Sequence, residues 1–237
     1  MIILPAIDLV QKKAVRLFKG DYEKMTVYSD SPLDVAKDFE NCGAKYIHIV
    51  DLEGAKSGET PNLDVVSSIA QNTSLFVEVG GGIRNLETAE KYFSNGVSRV
   101  ILGTAAVCDE NFLKEAVKLY GEKIAVGADV KDSAIAIKGW LEKSDYTLDA
   151  FFEKMQDIGV KNIICTDISK DGAMKGTNRE LYKELSKKYS LDITASGGVS
   201  SLDDVKALKE MDLYGAIIGK AYYTGAIDLK EAIEVAK

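Results

Sequence analysis

The stretch CGAKYIHIVDL (Cys42–Leu52) has a second version 116 positions later, IGVKNIICTDI (Ile158–Ile168). Gly43 falls on Gly159 and Asp51 on Asp167. The same shift lays Gly81-Gly82 over Gly197-Gly198, and ILGTA (101–105) over IIGKA (217–221). The first strands align at a shift of 121, Asp8 over Asp129, so the first half carries five extra residues between its first and second strands. Hydrophobic patterns alone coincide by chance. Glycines and aspartates coinciding at one shift indicate a duplication, two units that each supply half a core.

Around these anchors, short β-branched runs alternate with amphipathic segments. Strands are predicted at 2–9, 45–52, 74–79, 98–103, 123–130, 161–168, 191–196 and 213–219. Between them lie helical patterns such as Pro32–Cys42, Leu86–Asn95, Asn111–Tyr120, Leu148–Ile158 and Leu202–Lys209. The strands are almost continuously apolar, as strands covered on both faces must be. Eight of them over 237 residues predict an α/β fold, a (β/α)8 barrel of the TIM type built from two (β/α)4 halves. An open doubly wound sheet is the alternative. No Pro/Gly/Ser linker divides the chain, and residues 1–237 are expected to form one domain.

Composition narrows the function classes. The chain has 46% hydrophobic and 28% charged residues and a net charge of −7, which argues against nonspecific binding to nucleic acid. No run approaches a membrane span, and MIILPAIDLV lacks a basic leader, so a cytoplasmic protein is expected. Cys42, Cys108 and Cys165 are too few and too far apart for a disulfide framework or a CxxC site. With one histidine, His48, a His-rich metal site is excluded and proton transfer falls to carboxylates. His48 itself lies among apolar residues, where a satisfied core histidine is the simpler reading.

In such a barrel the site lies at the C-terminal strand ends. Asp8 and Asp129 end strands 1 and 5, which face each other across the mouth, an arrangement suited to one general base and one general acid. A single aspartate there would more simply cap a helix or pair with a lysine such as Lys131. The duplicated pair points to catalysis. Glycine clusters follow strands 3, 4, 7 and 8: Gly80-Gly81-Gly82, Gly103-Thr104, Gly197-Gly198 and Gly219-Lys220. Bare backbone lets N–H groups approach an anion closely. Two such grips imply a substrate with a phosphate at each end. Arg84, beside the first grip, has only Ser200 opposite it in the repeat. Strand 6 ends in TDISKDGAMKGTN, where Thr166, Asp171 and Gly172 are placed to line the mouth. Asp51 and Asp167 bind ligand or, equally, bond neighbouring loops. VRLFKGDYEKMTVY (15–28) offers Arg16 and Lys19 to an anion and reads as a lid, with a solvated charged loop as the alternative. Trp140, the lone tryptophan, follows AIAIK in a loop, a position for stacking on a planar ligand.

Taken together, PAIDL, HIVDLEGA, GGGIR, ADVK, KGW, TDISKDG and SGGVSS closely resemble the ProFAR isomerase family of histidine biosynthesis, over essentially the whole chain. The resemblance implies a barrel that converts the aminoaldose ProFAR to the aminoketose PRFAR by an Amadori rearrangement. Neither metal nor organic cofactor is implied. It gives Asp8 as the base, Asp129 as the acid, Thr166 beside the reacting ribose and Trp140 as a substrate contact. The sister cyclase that makes imidazole glycerol phosphate shares the duplication, but its first strand resembles CLDV rather than PAIDL. A bifunctional isomerase acting also on phosphoribosylanthranilate, and a catalytically silent phosphate-sugar binding barrel, complete the readings. The expected partner is the bisphosphorylated substrate, with the chain as a monomer.

Overall fold

The computed structural model describes residues 1–18 and 20–237. Among them the strands are, in chain order, β1 (Ile2–Val10), β2 (Lys13–Phe18), β3 (Asp21–Ser29), β4 (Tyr46–Asp51), β5 (Phe76–Gly80) and β6 (Arg99–Leu102). They continue with β7 (Ile124–Lys131), β8 (Ala134–Ile137), β9 (Glu142–Thr147), β10 (Asn162–Asp167), β11 (Asp192–Ser196) and β12 (Gly215–Ile218). The eight predicted strands are β1, β4, β5, β6, β7, β10, β11 and β12. They pair in that order, all parallel, and β12 returns to β1 through Ile2–Pro5 against Gly215–Ile218. The result is a closed eight-stranded parallel barrel with helices between its strands, and β1 and β7 lie half a turn apart.

Alternation along each strand decides what enters the barrel. Ile3, Ile7 and Leu9 pack outward against the helices, in the core that also holds Phe39 and Ile47. Leu4 and Ala6 point inward and meet Ile101, Ala125, Ile164 and Ile217. Continuing that inward parity brings Asp8 to the upper end of β1. The same count carries Ala125 to Asp129 and Ile164 to Thr166. Every residue of β10 is buried, which is why its sequence reads as an unbroken apolar run.

The helices follow their local signals. Leu148–Ile158 begins where the Thr147 hydroxyl accepts from the Ala150 amide and ends at Gly159 with φ of 90°. Asn85, Asn178 and Ser201 cap the starts of three others. No helix among the described residues is long and apolar enough to cross a membrane.

The segment read as a long first loop is instead a β-hairpin. β2 folds back antiparallel on β1, with Val15 opposite Asp8, and β3 runs mostly exposed. The second half has its own hairpin: β8 folds back on β7, with Ala136 opposite Asp129, and β9 follows. The duplication therefore extends to the hairpins above the mouth. The shift that lays Asp8 over Asp129 also carries Lys13 to Ala134 and Asp21 to Glu142, the first residues of β2 and β8 and of β3 and β9.

Candidate active site

Asp8 and Asp129 stand inward at the mouth on opposite strands, in unlike surroundings. Arg16, on the hairpin strand beside β1, places Nη1 2.8 Å from Oδ2 of Asp8. Burial works against the guanidinium charge, but Asp8 and Asp171 outweigh it and hold Arg16 protonated more firmly than usual. Among the described residues Asp129 has no such ion pair. Burial pushes its carboxyl above the ordinary range, and hydrogen bonds from Trp140 and Thr166 and the nearby His48 only partly oppose this. Asp171 is also raised, first by burial and then by Asp8 and Asp129, with Arg16 acting the other way. The four side chains Asp8, Asp129, Asp171 and Arg16 thus sense one another across a single site. Thr166, 8% exposed, is level with Asp129 on the neighbouring strand.

The glycine pairs occupy tight places. Gly81 (φ 112°) and Gly82 (φ 79°) lie against the loop after β4: a Cβ there would stand 2.1 Å from the Asp51 carbonyl oxygen and 2.2 Å from that of Gly54. Gly197 and Gly198 repeat this against the loop after β10, at 2.7 Å from the Asp167 oxygen and 2.5 Å from that of Gly176. Bare backbone is demanded here by packing as well as by any anion. Gly103-Thr104 follows β6 and Gly219-Lys220 follows β12, each beside its glycine pair because β5 adjoins β6 and β11 adjoins β12. At Gly219 a Cβ would fall 1.3 Å from Nη2 of Arg16, so this guanidinium bridges Asp8 and the second grip. The Lys220 ammonium donates to the Gly172 carbonyl at 3.1 Å, tying β12 to the TDISKDG loop.

The remaining predicted residues take varied positions. Trp140 packs its ring on Gly20, joining the two hairpins across the mouth. The Thr104 hydroxyl accepts from the Lys138 amide at 2.9 Å and so anchors the second hairpin. Arg84 is held by the segment after β4: it donates to the Ala55 carbonyl at 3.1 Å and lies over Gly58. Lys19 lies outside the described residues.

A model of the histidine biosynthesis protein family matches residues 2–228. The chain belongs to this family. An isomerase from Clostridium acetobutylicum is 55% identical over 99% of this chain and 98% of its own length. Counterparts from Clostridium beijerinckii, at 52% over 100% and 99%, and Ruminiclostridium cellulolyticum, at 51% over 98% and 99%, bear the same name. That name describes an imidazole-4-carboxamide isomerase whose substrate carries two phosphoribosyl groups.

Against this family background, Asp51 and Asp167 are loop-bonding residues. Asp51, fully buried, accepts from the amides of Gly54 and Asn62 and from the Asn62 side chain at 2.8 Å. Asp167 accepts from Ser169 and from the Asn178 side chain at 2.6 Å. Asn62 and Asn178 are themselves 116 residues apart, so the repeat carried a signal for this pair that sequence reasoning passed over. Tyr223 was also missed. Its hydroxyl donates to the Ala6 carbonyl at 2.9 Å, and its ring stacks on Tyr28 beside Arg16 and Asp8. Nothing in a single sequence distinguishes this tyrosine from ten others.

Proposed function

We propose that the chain is the aldose–ketose isomerase of histidine biosynthesis, converting ProFAR to PRFAR by an Amadori rearrangement. The observation that carries this reading is the unlike pair at the mouth. Asp8 is ion-paired to Arg16, and Asp129 is desolvated and biased toward its protonated form. Ring opening of the aminoaldose needs a proton on the ribose oxygen, which Asp129 supplies. The Schiff base so formed acidifies the C2 hydrogen, which the Asp8 carboxylate removes, and reprotonation of the enolamine gives the aminoketose. A carboxylate paired to a cation and a second carboxyl biased toward its protonated form are sufficient for this sequence. Thr166, level with Asp129, orients the reacting ribose.

The two glycine grips take the two phosphates: Gly81, Gly82, Gly103 and Thr104 on one side, Gly197, Gly198, Gly219 and Lys220 on the other. Arg16 adds charge to the second, against Gly219. The double phosphoribosyl group in the relatives' name supports a substrate of this span.

An absorbance assay with ProFAR, run with and without ammonia and then with phosphoribosylanthranilate, tests the reading by product identity. PRFAR formed without ammonia is the expected result. Inertness toward ProFAR with consumption of separately supplied PRFAR only when ammonia is present would point to the cyclase, and turnover of phosphoribosylanthranilate to a bifunctional enzyme. Calorimetric binding without turnover would leave a binding barrel.

A further inference from the structure

One row of polar side chains inside the barrel takes no part in the mechanism above. His48, Glu78 and Arg99 stand side by side on β4, β5 and β6, paired in register: His48 with Glu78, and Glu78 with Arg99. All three are buried, at 9%, 1% and 6% exposure. Nδ1 of His48 lies 2.7 Å from Oε1 of Glu78, and Nη1 of Arg99 lies 3.3 Å from Oε2. Arg99 is fixed in turn by the Glu122 carbonyl, the Tyr214 hydroxyl and the ring of Phe76. Taking charges into a barrel interior is costly, and a helix-covered core does not need them.

We propose that Glu78, backed by Arg99, is a positioning residue that fixes the His48 imidazole in its Nδ1–H tautomer, with Nε2 presented to the mouth beside Asp129. The inference rests on the isomerase reading for what the imidazole serves, but its geometry stands independently. A carboxylate only accepts, so the nitrogen facing Glu78 must carry hydrogen. Arg99 only donates and cannot give up its proton, so it holds Glu78 in that role. The residual opening lies on the histidine: its side chain keeps 11% exposure against 1% for Glu78. His48 lies level with Ala6, one inward position below Asp8 at the mouth. The other titratable groups around Asp129 are Asp171 and the Cys165 thiol, both pushed up by burial and by neighbouring carboxylates. The orienting logic is that of a carboxylate behind a catalytic imidazole, here set behind an acid rather than a nucleophile.

The chain has one histidine, so its ring nitrogens give a single, unambiguous pair of resonances after 15N-histidine labelling. With the ring neutral, the wild type should show Nδ1 protonated and Nε2 bare. In Glu78→Gln, Arg99 draws the amide oxygen toward itself and leaves the amide NH2 facing Nδ1. That nitrogen must then accept, and the tautomer should invert to Nε2–H. In this variant kcat is expected to fall roughly tenfold or more while KM stays within about twofold. A wild-type ring protonated at Nε2 or averaged between tautomers overturns the proposal. So does an inverted tautomer with unchanged kcat, or Glu78→Gln retaining Nδ1–H. If Glu78→Gln fails to fold, the wild-type spectrum and His48→Asn decide, and unchanged kcat in His48→Asn sinks the idea. Because the spectra need no substrate, a failed isomerase assay leaves the tautomer result standing.

Discussion

Asp8 and Asp129 occupy related positions in the two halves, and their neighbours have made them different. Asp8→Asn and Asp129→Asn are each expected to lower kcat by about 10²–10⁴ with far-UV circular dichroism unchanged. Since burial raises Asp129, it keeps its proton to higher pH than an ordinary aspartate, and activity should fall as pH rises through that value. Trp140→Phe removes a hydrogen bond that favours the carboxylate, so the alkaline limb of the kcat profile should move to higher pH. Gly219 offers a second test, since a methyl group there takes the place of Nη2 of Arg16. Gly219→Ala should reduce kcat/KM about as far as Arg16→Ala, and the double variant should be no worse than either single one. Thermal melts separate this from loss of fold. Both aspartates were legible as strand ends in the sequence. The approach of Arg16 to Gly219 was not, because it joins a hairpin to the end of a strand more than 200 residues away.

At the scale of elements, the loops after β4 and β10 are held by the paired clamps Asp51–Asn62 and Asp167–Asn178. Asp51→Ala removes three hydrogen bonds to a fully buried carboxylate and should cost about 3 kcal/mol or more in urea unfolding. Asp167→Ala should cost less, since part of its bonding is to Ser169, a hydroxyl that can turn to water. These clamps explain why the glycine pairs recur: the loops they hold press directly on Gly81, Gly82, Gly197 and Gly198. Sequence spacing showed the glycines, but their double duty follows from backbone packed so closely that an added Cβ would fall 2.1–2.7 Å from a carbonyl oxygen, which no spacing encodes. The hairpins were invisible for another reason. β3 and β9 are largely exposed and carry no alternating apolar pattern, so their strand state depends on pairing with β2 and β8.

For the whole molecule, the barrel closes by two equivalent seams, and the hairpins ride on the strands that carry the aspartates. Trp140 reports on a hairpin rather than on the core, since it packs on Gly20 of the other hairpin and Leu141 beside it is 86% exposed. In a denaturant titration its fluorescence should change at lower concentration than far-UV circular dichroism. Coincident curves would show the hairpins to be as firmly held as the barrel. The sequence by itself determined the eight strands, their duplication and the strand-end carboxyl groups. Each of these depends on local periodicity or on a constant spacing, which one chain displays. Only the tertiary structure decided that Arg16 reaches Gly219, that Arg84 turns to Ala55, and that His48, Glu78 and Arg99 form a buried row. Those contacts depend on which strands become neighbours and where side chains find room. Both are settled when the barrel closes.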